Sequence, residues 1–237
     1  MRSDIPVLIL AAGASSRMGC PKQLLTLGGR TLLDSVIALA RGVSCSVWVV
    51  TGCRGPLIRY RTQVRPHHWV HNAEWASGMA SSLQAGLKAL PVKSPGVLVL
   101  LVDQPGVAQA HLRDLLAAAE RKPDSAIASG LNGRPVVPAY LPSRMWPSIA
   151  SLRGDVGARA LLSKVDPYII PCPAAGLDLD TPSDWRAIRY SSSQSEIARP
   201  DDSLATLDKD SSDKSLKAGH PYRDKGKSGG SECLPCH

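Results

Sequence analysis

Three apolar runs constrain this chain more than anything else in it: IPVLIL (residues 5–10), SVWVV (46–50) and GVLVLLV (96–102) do not alternate with polar residues. A strand with one wet face alternates. A strand without alternation is buried on both faces, which requires a parallel sheet with helices packed on either side. The intervening segments supply those helices. TLLDSVIALA (31–40) repeats Leu33, Val36, Ile37 and Ala40, and AQAHLRDLLAAAE (108–120) repeats Leu112, Leu115, Leu116 and Ala119. SGMASSLQAGLKAL (77–90) puts Met79, Leu83, Leu87 and Leu90 at helical spacing, with Ser77 placed to cap the first turn. SAIAS (125–129) reads as a further strand. The expected fold is α/β, a mostly parallel sheet with helices on both faces, whose ligands bind beyond the carboxyl ends of the strands. The longest near-pure apolar stretch, Val97 to Val102, is far short of the roughly 18 residues of a membrane helix.

Two features fall at that carboxyl edge: Asp103, and the loop inside VLILAAGASSRMGCPKQLL (7–25). Gly13 follows a strand directly, and a helix is expected after the loop, so its amides would face an anion and glycine would let a phosphate approach the backbone. The spacing is not that of the common phosphate loops. Five residues separate Gly13 from Gly19, Lys22 follows Pro21, and no Gly-x-Gly-x-x-Gly occurs there. Read locally, each candidate has a plainer alternative. The loop reads equally as a surface turn, Asp103 as the start of a turn before Gln-Pro, and Asp180 in DLDTP as a helix cap before Pro182. Ser81 and Ser82 read as a polar helix face, and RGDVGAR (153–159) as a solvated turn.

Charge narrows the partner. The formal net charge is +8, and residues 190–237 hold 7 Lys or Arg against 8 Asp or Glu, leaving 21 against 12 for residues 1–189. The basic part suits a polyanionic ligand such as a nucleotide. No nucleic-acid motif accompanies it, and RGPLIRYRTQVR (54–65) has no aromatic beyond Tyr60. Residues 1–189 are expected to form the domain. Residues 190–237, rich in Ser, Asp, Lys and Gly, are expected to form a disordered tail. Six cysteines over this length are too few for a disulfide scaffold, so reduced thiols and a cytoplasmic location are expected.

The loop LAAGASSRMGCPKQLL (10–25) resembles the signature of nucleotidyltransferases acting on sugar phosphates and on molybdopterin. NAEWASGMASSLQAGL (72–87), LVDQP (101–105), GRPVVP (133–138), LRGDVGARALL (152–162) and DLDTPSDW (178–185) then resemble, in order, the blocks of the molybdenum cofactor cytidylyltransferases. The resemblance implies a Rossmann-like nucleotidyltransferase domain that joins CTP to the phosphate of molybdopterin-bound molybdenum and releases pyrophosphate. It implies that Leu10, Ala11 and Ala12 meet the base, that Gly13, Arg17 and Lys22 take the phosphates, and that Gly78, Ser81 and Ser82 hold nucleotide or ribose. It also implies Mg²⁺ on Asp103 and Asp180, and the pterin substrate beside Asp155 and Arg159. Ala12 favours CTP over GTP, since guanylyl relatives more often carry glycine there. Guanylyl transfer, a sugar-phosphate acceptor, and a non-catalytic protein delivering cofactor to molybdenum hydroxylases or their chaperones are the alternatives. No nucleic acid and no membrane partner is expected.

Both chain ends offer a rival reading. MRSDIPVLILAAGASS resembles a secretion signal, and CLPCH (233–237) matches a haem-attachment motif or, with His220, a zinc set. Asp4 lies where a signal is positive, its apolar stretch is short, and the tail offers a haem no apolar walls. An incidental Cys233, Cys236 and His237 group is therefore expected.

Overall fold

A computed structural model describes residues 2–155 and 157–197, with the backbone alone at 159, 160 and 191–197. The main elements in chain order are β1 (Val7–Ala11), β2 (Thr26–Leu27), β3 (Arg30–Thr31), α1 (Leu32–Arg41), β4 (Val47–Thr51), α2 (Gly55–Arg61) and β5 (His68–His71). They continue with α3 (Met79–Ala89), β6 (Gly96–Leu101), α4 (Gln109–Arg121), β7 (Ile127–Leu131) and β8 (Arg134–Pro142). The last are α5 (Trp146–Ala150), α6 (Ala158–Leu162), β9 (Tyr168–Pro171) and α7 (Pro182–Ile197).

Seven strands form one sheet in the order β5-β4-β1-β6-β8-β7-β9, and β2 and β3 form a small separate ribbon. β1 lies parallel to β4 and β6, β4 to β5, and β7 to β9. β8 alone is reversed, antiparallel to both neighbours. The three apolar runs are the three central parallel strands, as their lack of alternation requires. All five residues of β1 are buried. Val7, Ile9 and Ala11 face Leu33 and Ile37 of α1 and Leu112 and Leu115 of α4. Leu8 and Leu10 face Leu83 and Leu87 of α3 on the other side. Leu98 in the centre of β6 is fully buried. Leu98→Ala should cost about 2–5 kcal/mol in urea unfolding through the cavity it leaves; a smaller loss would mean the sheet collapses into the space.

Several sequence expectations need correction. Ser77 does not cap α3: its hydroxyl donates to the Glu74 carbonyl at 2.7 Å, and Gly78 is the cap residue. Met79 is half-exposed, not core. The loop after β1 leads into two single 3-10 turns, Ser16–Met18 and Lys22–Leu24, not into a helix, so no helix dipole serves it. β8 escaped the pattern because it carries Pro135, Pro138 and Pro142. It tolerates Pro138 because the pairing with β7 shifts register at Ala128/Ser129, where residues 137 and 138 fall in a bulge, and Pro135 and Pro142 lie at the two ends of the strand. The tail expected from residue 190 begins inside α7, which runs on to Ile197 while Trp185 and Ile188 pack on the core. The Cys233, Cys236 and His237 group lies outside the described residues. Among the described residues no helix is long and apolar enough to cross a membrane.

Candidate active site

The strand order turns back between β1 and β6: the chain moves outward from β1 through β4 to β5, then crosses to the other side of β1. The carboxyl ends of β1 and β6 therefore open on a shared crevice. A pocket of about 300 Å³ lies there, lined by Leu10 to Ala14, Lys22 and Gln23 from the loop and by Leu101 to Asp103 from the end of β6. Trp75, Gly78, Met79, Ser82 and Asp155 close it.

The charged centre is one connected group. Lys22 Nζ donates to Asp103 Oδ2 at 2.5 Å, to Asp180 Oδ1 at 3.3 Å and to the Leu179 carbonyl at 3.4 Å. Arg17 Nη1 reaches Asp180 Oδ2 at 3.5 Å. Lys22 and Asp103 are 19% and 16% exposed at their side chains, whereas Asp180 and Arg17 are 48% and 76% exposed. Burial by itself pulls the Lys22 ammonium toward its neutral form, but Asp103 and then Asp180 outweigh it and raise its pKa above the ordinary 10.5. Asp103 Oδ1 is buried without a hydrogen-bond partner among the described residues. Asp180 comes from 77 residues downstream, and a backbone bond from Leu179 N–H to the Asp103 carbonyl at 2.9 Å brings it to the strand end. It does not cap α7. Thr181 does, its Oγ1 accepting from Asp184 N–H at 3.3 Å, while Asp184 Oδ2 reaches back to accept from Asp180 N–H and Thr181 N–H at 3.1 and 2.8 Å.

Two glutamines, unnoticed in the sequence, brace the site. Gln23, 2% exposed, donates through Nε2 to the Ala11 carbonyl at 2.9 Å and to the Gly13 carbonyl at 3.1 Å. A trans peptide points its N–H opposite its carbonyl, so this tie turns the N–H groups of residues 12 and 14 away from Gln23. Gln104 donates to the Ala175 carbonyl at 2.9 Å and to Asp178 Oδ1 at 3.2 Å, which anchors the segment that carries Asp180. Each glutamine directly follows a charged residue of the site, QLL after Lys22 and QP after Asp103; that adjacency was the available signal.

Asp178 joins the cluster electrostatically. Partial desolvation of its carboxyl holds it above the ordinary 3.8 although the residue as a whole is exposed, and Asp103 and Asp180 add to this against the Gln104 hydrogen bond. The folded state thus binds this proton more tightly than the unfolded chain, so Asp178 lowers stability as pH rises from 3.8 through its raised value. Asp178→Asn should raise the melting temperature at pH 7 and lose that advantage below pH 3.8; an equal shift at both pH values would trace the effect to packing instead.

The remaining expected residues divide. Leu10, Ala11, Ala12, Gly13, Gly78, Ser82 and Asp155 line the pocket with Lys22 and Asp103, while Ser81, Arg17 and Asp180 do not. Ser81 Oγ instead accepts from Asn72 Nδ2 at 2.9 Å and lies 2.8 Å from the Glu74 and Gly78 carbonyls, bracing the start of α3. Asn72 also donates to Ser82 Oγ at 3.0 Å. The side chain of Arg159 lies outside the described residues. Among those residues no group of three or more His, Cys, Asp or Glu side chains gathers as a metal site. Cys20, Cys45, Cys53 and Cys172 are free thiols.

Residues 7–168 match the family described as the MobA-like NTP transferase domain. The chain is 35% identical to nicotine blue oxidoreductase of Paenarthrobacter nicotinovorans, over 76% of this chain and 95% of that protein. It is 31% identical to a probable molybdenum cofactor guanylyltransferase of Synechococcus elongatus, over 79% and 100%. It is 28% identical to the molybdenum cofactor cytidylyltransferase of Escherichia coli, over 77% and 94%. Among solved structures, a homologue of the Mycobacterium tuberculosis protein Rv0371c from Mycobacterium sp. strain JC1 superposes with a TM-score of 0.71 at 26% identity, over 82% of this chain and 99% of that one.

Proposed function

The chain belongs to the MobA-like NTP transferase domain family and is an NTP transferase, and from that premise we propose that it transfers a cytidylyl group from CTP to the phosphate of molybdopterin-bound molybdenum, releasing pyrophosphate. The observation that carries this reading is the Arg17, Lys22, Asp103 and Asp180 group at the mouth of the β1/β6 crevice. Two cations beside two carboxylates suit a triphosphate and a hard divalent ion together. Mg²⁺ takes one or two carboxylates and completes its shell with phosphate oxygens and water. Asp103, with Oδ1 buried and unpartnered, and Asp180, with a half-exposed carboxylate, meet that requirement. A metal held there would neutralise charge on the phosphates.

An oxygen of the acceptor phosphate attacks the α-phosphorus, a new P–O bond forms, and the bond to the β-phosphate breaks with pyrophosphate as leaving group. No covalent protein nucleophile is needed; the chain contributes position and charge. The outward N–H groups around Gly13 face the phosphates. Lys22 meets them as a point charge, and Arg17 meets them with its planar fork. Leu10 to Ala12 and Trp75 enclose the base, and Ala12 favours cytosine. Asp155, across the pocket, meets the pterin. Molybdenum hydroxylase apoenzymes or their chaperones are the recipients of the product.

The oxidoreductase name of one relative supports a second reading, reduction of a small substrate. Pyrophosphate release measured with each NTP, against molybdopterin-bound molybdenum and a sugar 1-phosphate, separates the readings. CTP with the molybdopterin acceptor is the expected pair. A GTP preference would move the base assignment, and a sugar 1-phosphate preference would sink the acceptor. Oxidation of a reduced nicotinamide without pyrophosphate would overturn the transfer itself.

A further inference from the structure

Lys22 spends its ammonium protons on Asp103 Oδ2, Asp180 Oδ1 and the Leu179 carbonyl, and so sits between the two carboxylates proposed to hold the metal. Arg17 takes the remaining oxygen of Asp180. The Lys22–Asp103 pair, at 2.5 Å, has both partners largely shielded from water, where charges interact far more strongly than at a wet surface. Two positive charges cannot share that space cheaply: a divalent ion reaching Asp103 and Asp180 meets the ammonium as a like charge.

From this geometry we infer that Lys22 is a resident counter-ion that keeps a divalent cation off Asp103 and Asp180 until a triphosphate draws the ammonium away. Nucleotide and metal then load cooperatively. The inference rests on the reading of Asp103 and Asp180 as the metal carboxylates. The swing is short, because Lys22 itself lines the pocket in which the phosphates are proposed to lie. While the pocket holds no phosphate, Lys22 keeps the two carboxylates from repelling each other and ties the Leu179–Asp180 segment to the end of β6. Once phosphate oxygens compete for the ammonium, both carboxylates are released to a metal that the same phosphates also attract. Linkage makes this reciprocal: the factor by which nucleotide tightens metal is the factor by which metal tightens nucleotide.

The test is Mn²⁺ binding to the full chain without nucleotide, followed by electron paramagnetic resonance of the free ion. Lys22→Met should bind Mn²⁺ at least about tenfold more tightly than the unaltered protein, a typical size for one coupled charge. Lys22→Gln, which keeps a polar tip, should do the same and serves if the Met variant folds poorly. Equal or weaker Mn²⁺ binding in both variants overturns the inference and leaves the metal reading to stand or fall with Asp103→Asn. In the double variant Lys22→Met/Asp103→Asn the gain should vanish. A gain that survives there would put the ion elsewhere, and would sink the metal reading and this inference with it.

Discussion

Asp103→Asn is expected to lower pyrophosphate release at saturating CTP by about 10³-fold, while the protein still melts cooperatively. The loss is large because the substitution keeps the shape and removes the charge. Oδ2 of Asp103 accepts the 2.5 Å bond from Lys22, and Oδ1 is buried with no partner among the described residues. An asparagine cannot serve both atoms as oxygen. Whichever way the amide turns, either the ammonium or the proposed metal meets an NH₂ group. Removing one preorganised electrostatic partner of a developing charge typically costs 10²–10³ in rate, and here one carboxylate balances Lys22 before the nucleotide binds and the proposed metal after it. Steady-state kinetics and a thermal melt on the same preparation check it. Turnover within tenfold of the unaltered protein would show that the metal does not depend on Asp103.

Gly78→Ala should destabilise the fold by about 3 kcal/mol, combining backbone strain with overpacking, and should distort the pocket at the same time. Gly78 has φ 109° and ψ −179°, a conformation that is costly for any residue with a side chain. An added Cβ would lie 2.3 Å from the Gly154 carbonyl carbon and 2.7 Å from Asp155 N, backbone atoms that cannot rotate aside. That contact joins the start of α3 to the turn that carries Asp155, and Ala80 N–H seals it with a 3.0 Å bond to the Gly154 carbonyl. Urea unfolding gives the energy. Gly13→Ala is the control: a Cβ there meets nothing within 4 Å, so it should leave unfolding unchanged. Equal losses at the two glycines would show that the Gly78 contact is not what holds the turn.

The parallel centre of the sheet was legible in the chain because burial on both faces leaves few polar residues in a strand, and residues 7–11, 47–50 and 96–101 carry that mark themselves. The helices α1, α3 and α4 were legible for the same kind of reason, since their apolar spacing is local. β5, β8 and β9 were not. β5 and β9 lie at the sheet edges with half-wet residues, and β8 is interrupted by prolines, of which Pro138 sits in the bulge of its pairing with β7 and the others at the strand ends.

The site divides along the same line. The glycine loop and Asp103 stood out because each lies within a few residues of a strand end, which can be read locally, and Lys22 because that loop carries it. What local sequence could not decide was whether Asp180 caps a helix or faces Asp103. That depends on a backbone bond between residues 103 and 179, on Thr181 and Asp184 capping the helix between them, and on Gln104 anchoring the intervening turn. Nor could it show that Ser81 braces a helix start while Ser82, one residue on, lines the pocket. Short-range pattern follows from what each residue must bury, so the layers and the edge where the pocket opens could be read from the chain alone. Which distant polar groups satisfy one another there emerged with the three-dimensional fold, because a charge 77 residues away has no local periodicity to betray its partner.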